Sequence, residues 1–479
     1  DCPLGPSDES LLNCDQCRLH FGSPTSLGLP KMSFDMMDCC CCDEESAEVP
    51  NMQDIAVALP CEVTLRIFSL LSFKELKSAS LVSKSWQEWA RLDELWFCLA
   101  TADMPVDFPD CTINQIMEHQ ETWEKAYRRR FLINSRWDVS DFKTLRFAGH
   151  RSAVFCVQLM NKDLLATGGD GNEVRIWDLK KKKCEHTIHS DRTGFLGMHF
   201  DEKQQKLLTG SFNGTLKVWD MNIPKLRDMD NVTVKELKQA MVVKGVDYGD
   251  CFEKSELYER AVSSGSLQST SCRISVEAHM GAILGIDTCD NMIATGGHGG
   301  VVKLWNLSNG KNTASFECHE GSVNMVTFFD DGSKLATVGH DGIVAVHDVE
   351  SRKKLLALGG HVGWVWGLHL DRLYEPHMLV SSSVDRTIRV WDMHTKKCVE
   401  TILDHPAEVP SVYVDWNRHR MISTSFSGKS LVHDTRMWKP IIVFEGFKDR
   451  CTRLAYSTEA VFIGSMDGTV RGFNFAYGL

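Results

Sequence analysis

Four kinds of side chain recur at fixed spacing through the second part of this chain. A His stands at His150, His189, His279, His319, His361 and His405, with Phe447 in the seventh place. A hydroxyl follows at Thr167, Thr209, Thr295, Thr337, Ser381 or Ser423, always ten residues ahead of a Trp or its substitute, and the last copy has Ile463 instead. Six residues ahead of that same position come Asp341, Asp385 or Asp467, with Asn213 a near match. A His, a hydroxyl and an Asp are groups that can activate a nucleophile. Repeated with a Trp at constant distance, they suit a buried hydrogen-bond network better, because each polar group would be costly if left unpaired. Only the fifth copy holds all four, His361, Ser381, Asp385 and Trp391, and they are read as a structural tetrad. No catalytic residue, cofactor or metal ligand is assigned to these positions.

The elements that must position these residues are also repeated. A Gly-containing turn and a short apolar strand end in Trp-Asp or a relative of it: GGDGNEVRIWD at Asp178, SFNGTLKVWD at Asp220, GGHGGVVKLWN at Asn306, GHDGIVAVHD at Asp348, SVDRTIRVWD at Asp392, SFSGKSLVHD at Asp434 and SMDGTVRGFN at Asn474. Most successive endings are 40 to 44 residues apart, the period of propeller blades made of four strands. The interval from Trp219 to Trp305 is twice as long, so an insertion is expected there.

This pattern resembles the WD-repeat family over residues 142–479. The resemblance implies an all-β seven-bladed propeller whose last blade takes a strand from the front of the repeat region, and Lys143 to Phe147 alternates in polarity as such a strand should. It also puts binding at the propeller's mouth, where the loops entering the innermost strands meet the loops before the Asp turns. The inner positions, five residues after each His, are Phe155, Gly194, Leu284, Asn324, Trp366 and Pro410, with Thr452 in the seventh copy. The positions before the turns include Phe212, His298, His340, Val384, Phe426 and Met466. Family members that read phosphorylated segments carry Arg at such places, since phosphate favours a bidentate, permanently charged partner. None of these residues is Arg, so no phosphate pocket is expected. The expected substrate-binding set is Phe155, Phe212, His298, Asn324, His340, Trp366, Phe426 and Met466, suited to an apolar peptide or side chain. His298 and His340 could add a pH dependence.

Ahead of the repeats, residues 54–100 read as a small all-α domain. Leu59-Pro60 stands where a helix can begin, followed by Glu62, Val63, Ile67, Phe68, Leu70 and Leu71 as an apolar stripe. Leu76, Leu81, Val82 and Trp86 continue at helical spacing, which predicts two or three packed helices. So small a domain has little core of its own, and its apolar surface is better used against a partner. The segment resembles an F-box in Leu59-Pro60, Ile67-Phe68, Leu71 and Val82-Ser83-Lys84-Ser85-Trp86, with Cys61 where the family often has an acidic residue. What this implies is docking onto the Skp-type adaptor of a cullin-based ubiquitin ligase through Leu59, Pro60, Ile67, Phe68, Leu71, Leu76, Val82 and Trp86.

Linker helices are expected over 101–141. Trp123, Tyr127 and Phe131 recur at spacing four, so one helix face is aromatic, and Arg128, Arg129 and Arg130 are read as its solvated side. A Trp-x-x-x-Tyr helix ending in Trp137 resembles the linker of F-box proteins that carry WD repeats. The insertion, 225–271, reads as helix, Gly turn, helix, with Thr233 as cap, Gly245 as stop and Ser255 to Val262 as the second helix; Arg273 to His279 then resumes the blade. Its Leu237, Gly245-Val246, Lys254, Leu257 and Arg260 resemble the SAP motif, a family often associated with DNA. Five basic residues against six acidic ones over 231–262 make a poor phosphate binder, so protein contact or decoration is expected. Residues 1–53 form an acidic leader with seven of the 18 cysteines. Cys14, Cys17 and His20 with Cys39 to Cys42 could be zinc ligands, and the run Cys39 to Cys42 could be palmitoylated, but disorder is the main expectation. Since the chain opens on Asp1 and not Met, its natural start is expected upstream.

Composition agrees with this organisation. With 43% hydrophobic and 24% charged residues the chain is an ordinary globular sequence. A net charge of -11 argues against a general nucleic-acid binder. No run of 18 apolar residues is present, so no transmembrane helix and no membrane partner are expected. Cysteines scattered singly through the repeats fit free thiols in a reducing cytoplasmic or nuclear setting. The expected partners are the Skp-type adaptor, a cullin and a protein substrate. The expected role is a non-catalytic substrate receptor; the alternatives are a scaffold without ubiquitin transfer, or a chromatin- or RNA-associated protein acting through the insertion.

Overall fold

The alternation of apolar residues in each repeat is realised as a strand with one face toward each neighbouring blade. In the first repeat, Glu173–Asp178 buries Val174, Ile176 and Trp177. In the computed structural model, the described residues are 59–103, 122–189, 193–221, 234–243, 247, 257, 271–371 and 375–479. Two compact units result, one ending at Ala90 and one running from Arg91 to Leu479. The expected leader, most of the insertion and residues 104–121 of the linker lie outside the described residues.

Seven four-stranded antiparallel sheets form the bulk of the second unit. Their innermost strands are Val154–Leu159, Phe195–Asp201, Ile283–Cys289, Val323–Phe329, Val365–Leu370, Ser411–Asp415 and Cys451–Tyr456, in blades 1 to 7. Each contacts the next, and the seventh contacts the first, so the sheets close into a ring around a channel. The core lies between blades: Val174, Ile176 and Ile188 of blade 1 pack with Phe195, Leu207 and Trp219 of blade 2. The ring is fastened where the resemblance implied. Lys143–Ala148 is the outermost strand of blade 7, antiparallel to Thr469–Asn474, with Lys143 opposite Asn474 and Ala148 opposite Thr469.

Blade 2 accommodates the insertion without losing a strand. Its third strand ends at Asp220, and the chain returns as Ser271–Glu277, with Val218 paired to Ile274. Helix Val234–Val243 falls within the expected first helix, and Met241 and Leu257 are buried.

In the first unit, α1 (Cys61–Ser69), α2 (Phe73–Ala79) and α3 (Lys84–Trp89) follow one another. Pro60 precedes α1, Ser72 and Glu75 form a capping box on α2, and the Ser83 hydroxyl accepts from Trp86 N–H on α3. The second unit opens with α4 (Asp93–Asp103) and, after the undescribed stretch, α5 (Trp123–Asp138), capped by Thr122. Trp96 and Tyr127 hold α4 and α5 together, ring centroids 5.4 Å apart.

The basic run on α5 departs from expectation. Arg128 is solvated and paired with Glu124, while Arg129 is only partly so and Arg130 less exposed still. Arg129 donates to both Glu459 oxygens at 3.1 Å, and Arg130 donates to the Thr458 hydroxyl at 2.6 Å. Arg136 donates to the carbonyls of Phe475 and Tyr477, and Trp137 stacks on Phe475 at 3.6 Å while its Nε1–H bonds the Thr458 carbonyl. The arginines bolt the helix to blade 7, because its turn supplies acceptors that the sequence alone does not place beside them.

Candidate functional site

In blade 5 the tetrad is continuous: Nδ1 of His361 is 2.8 Å from Asp385, its Nε2 2.8 Å from the Ser381 hydroxyl, and Trp391 Nε1–H donates to that hydroxyl at 2.8 Å. This is the connectivity of a hydrolytic triad, but the oxygen that would attack is fully buried and already holds two partners. No substrate can reach it, so the set is structural. Blades 1 and 3 keep the hydroxyl link, His150 to Thr167 and His279 to Thr295, each with a Trp donor. Blade 4 joins His319 to Asp341 and Thr337 but puts His347 in place of the Trp. Burial pushes the imidazoles of His150, His279 and His405 down to about 4, which keeps them neutral and able to accept one hydrogen bond while donating another. The buried thiols of Cys156, Cys318 and Cys451 are pushed up to about 12 and are inert.

The mouth is built by one backbone bond repeated in every blade. In six blades the residue after the second strand donates its N–H to the carbonyl of the residue just before an inner strand: Asp170 to Ala153, Phe212 to Gly194, His298 to Ala282, His340 to Ser322, Val384 to Trp364 and Met466 to Arg450; in blade 6 the equivalent bond, Phe426 to Glu408, lies one and two residues further from the strands. The two kinds of loop therefore meet seven times around the channel.

Just inside, the inner strand bulges in six blades, between Val154 and Cys156, Phe195 and Gly197, Ile283 and Gly285, Val323 and Met325, Val365 and Gly367, and Cys451 and Leu454. A bulge frees a residue from the ladder and re-aims it. The released residues are Phe155, Leu196, Leu284, Asn324, Trp366, and Thr452 together with Arg453. Leu196 replaces Gly194 of the sequence count, because His189 is itself the last residue of its outer strand, paired with Glu173, whereas His279, His319 and His361 stand two residues beyond theirs. Asn324 and Thr452 are buried and strap blades together, donating to the carbonyls of Val365 (2.7 Å) and Val154 (2.5 Å). Asn324 is thus part of the scaffold and not of an open binding surface.

Around this ring the aromatics pair across blade boundaries. Phe155 meets Phe212 at 6.2 Å, and Trp366 meets Phe426 at 5.2 Å, with the Arg450 guanidinium 5.4 Å above Phe426. His340 stacks on Trp364 at 4.2 Å, and the Ser322 hydroxyl is 2.8 Å from Nδ1 of His298. Glycine makes room for both histidines: a Cβ on Gly281 would lie 3.0 Å from His298, and one on Gly321 2.9 Å from His340. Burial, then the neighbouring His298, holds His340 below the usual imidazole range, away from neutral pH. Met466 is half-buried beside the blade-7 turn. Sequence reasoning missed Met280 and Val362, both fully exposed after a loop His, and Trp364, half exposed. It also missed Arg450 and Arg453, so the mouth is not without arginine; in the seventh copy the count from Phe447 lands on Thr452, between them.

The helical unit separates the F-box-like positions into two groups. Phe68 and Leu76 are buried, and Trp86 packs on Phe68 at 5.3 Å, so these three form the core rather than a contact surface. Leu59 and Leu71 are half-buried and Pro60 is exposed. Ile67 is 42% exposed and Val82 60%; with them stand Leu70 at 80% and Leu81 at 81%, which belong to the apolar pattern but not to the contact set that the F-box resemblance implied. On α1, Thr64 and Phe68 face in while Val63, Ile67 and Leu70 form an outward apolar stripe.

Comparison with known proteins adds the following. Residues 56–102 match the F-box-like family, and five segments, 142–178, 182–220, 270–306, 310–348 and 352–392, match the WD domain, G-beta repeat. Residues 222–263 match the E3 ubiquitin-protein ligase rififylin-like domain. Among curated proteins, Periodic tryptophan protein 2 of Arabidopsis thaliana is 25% identical over 217 residues, 44% of this chain and 24% of that protein. F-box/WD repeat-containing protein A-like protein of Dictyostelium discoideum is 22% identical over 228 residues, 45% and 19%. Probable E3 ubiquitin ligase complex SCF subunit sconB of Arthroderma benhamiae is 26% identical over 164 residues, 28% and 25%. The matches span a quarter or less of these relatives' own length. With an F-box-like segment ahead of repeats that close into seven blades, the chain belongs to the F-box proteins that carry WD repeats.

Proposed function

We propose that this chain is the substrate-recognition subunit of an SCF-type cullin-RING ubiquitin ligase: the F-box docks on the Skp-type adaptor, and the propeller mouth holds the protein to be ubiquitinated. The observation that carries this reading is the outward stripe Val63, Ile67 and Leu70 with Leu81 and Val82, apolar surface on a unit too small to waste it. A relative named as an SCF subunit supports it. The chain would act by approximation, with the transfer chemistry supplied by other subunits.

The test is capture of purified Skp-type adaptor and cullin by the intact chain, beside a variant carrying Ile67→Asp and Leu70→Asp. Both positions are exposed, so the helices should still form, which circular dichroism checks. Charges at the centre of an apolar interface should weaken capture by about 100-fold or more. No capture by the intact chain sinks the ligase reading and leaves a propeller scaffold.

A further inference from the structure

Among the residues released by the inner-strand bulges, Arg453 is the one cation. Arg453 is released from the blade-7 inner strand by the same bulge that sends Thr452 to the Val154 carbonyl. Its Nη1 lies 3.2 Å from Sδ of Met325, on the inner strand of blade 4. Blade 7 neighbours only blades 6 and 1, so a side chain that reaches blade 4 must cross the central channel. There, among the described residues, its hydrogen-bond partner is a thioether, a weak acceptor, and no carboxylate stands within ion-pair distance. Burial pushes the guanidinium below its ordinary range. A partly buried guanidinium with no anion beside it is left short of its best partner. Such a group in a cleft is a candidate for completing a ligand site.

The surroundings narrow the class of ligand. The rim carries Asp170, His298, His340, Glu408 and Arg450, but the surface leading to Arg453 offers the rings of Phe155, Trp364, Trp366 and Phe426, so a segment that reaches the guanidinium lies largely on apolar surface. There it meets one guanidinium; at the rim, Arg450 sits over Phe426 and Arg151 is exposed after the loop His150. A phosphorylated residue carries about -1.5 to -2 charges and calls for more than one cation. A carboxylate carries a single charge and matches one guanidinium through two parallel hydrogen bonds.

We propose that the propeller recognises its protein substrate through a carboxylate that enters the central channel and pairs with Arg453, displacing the Met325 contact, within an otherwise apolar peptide segment seated on Phe155, Trp364, Trp366 and Phe426. This rests on reading the mouth as the substrate site. The carboxylate is that of an internal Asp or Glu, or of a chain's C-terminus.

Fluorescence anisotropy of the intact chain with labelled nine-residue peptide pools separates the possibilities. All pools have Leu, Val, Phe or Trp at the flanking positions. Three are capped at both ends, with Glu, Gln or phosphoserine at the centre; a fourth has Gln at the centre and a free C-terminal carboxylate. The expected result is that the Glu pool or the free-carboxylate pool binds at least about tenfold tighter than the capped Gln pool. Arg453→Met should abolish that preference and Arg453→Lys should keep part of it, both variants melting as the parent does. Trp366→Ala should weaken every pool. If Glu, Gln and free-carboxylate pools bind alike, or the preference survives Arg453→Met, the carboxylate site is wrong while the mouth reading stands. Preference for phosphoserine over both carboxylate pools overturns it in favour of a phosphate reader. If no pool binds, or binding ignores Trp366→Ala, the mouth reading fails and this proposal with it.

Discussion

In blade 5 the space between the loop His and the third-strand Trp is filled by hydrogen bonds; in blade 7 the equivalent space is filled by rings. His361, Ser381, Asp385 and Trp391 are linked at 2.8 Å each. Their counterparts are Phe447, Ile463, Asp467 and Phe473, and Phe473 stacks on Phe444 at 4.2 Å with Phe142 at 5.4 Å and Phe447 at 6.1 Å. Asp467 survives although its His does not, and it accepts from the N–H and hydroxyl of Thr469 at 2.9 and 2.6 Å. Asp385 does the same for Thr387, at 2.9 and 2.7 Å. The carboxylate therefore serves its own turn in both blades, and bonding the His is a second duty. Burial by itself would raise the Asp385 carboxyl; hydrogen bonds from His361 and Thr387 outweigh it and hold the group far below the usual carboxylate range. Blade 7 can give up the polar network because α5 covers it: Trp137, Ile133, Phe473 and Phe475 share one apolar cluster.

The largest expected effect tests that substitution of rings for hydrogen bonds. Phe473→Ala should cost about 3–5 kcal/mol in urea unfolding, the usual range for removing a buried aromatic ring. A cost below about 1 kcal/mol would mean that blade 7 is held by its borrowed outer strand alone. Next in size is Ser381→Ala, which strips a partner from both His361 Nε2 and Trp391 Nε1 and should cost about 2–4 kcal/mol. The mirror change, Ile463→Ser, should also destabilise, because a hydroxyl there meets Phe447 and Phe473 and no donor. If Ile463→Ser proved neutral, the polar and apolar solutions would be interchangeable and the contrast between the blades would dissolve.

The difference between the blades also explains what was readable in the sequence. The ring was legible because each Trp-Asp ending is local, so its spacing survives in one dimension, and the closing strand Lys143–Ala148 announced itself by alternation before the first His. The mouth was legible only where the register of blade 5 applied. In blade 2 the His that fits the pattern, His189, is the last residue of the outer strand and not the loop residue two places on, so the count fell on Gly194 and not Leu196, and loss of the His in blade 7 hid Arg450 and Arg453. Burial within an element was legible less well. Phe68 and Leu76 share a pattern with Ile67 and Val82, and only the packing of α1 against α3 tells core from surface. The partners of Arg129 and Arg130 stand more than 300 residues along the chain, at Glu459 and Thr458, beyond any periodicity argument.

The smallest expected effect is the most specific, and it compares blade 5 with blade 6. Ser427 occupies the place of Asp385: its N–H donates to the Ser425 hydroxyl at 3.2 Å, as that of Asp385 does to Ser383 at 3.1 Å. His405 keeps its Nε2 link to Ser423 at 2.8 Å, but its Nδ1 is buried with no partner. Ser427→Asp should supply that partner and stabilise the chain by about 1 kcal/mol at pH 7.5. The pH dependence has a definite sign. Burial first, then His433, lowers folded His405 to about 4, whereas an unfolded His titrates near 6.5. Between these values the unfolded chain binds the extra proton, so the stability due to neutral His405 is complete above about 6.5 and is lost as pH falls toward 4. The new carboxylate raises the folded value and shrinks that loss, while His150 and His279 behave alike in both proteins and cancel in the difference. The stability gap between S427D and its parent should therefore widen from pH 7.5 to pH 5; a gap that stays constant or narrows would mean that the carboxylate serves its turn alone, as Asp467 does.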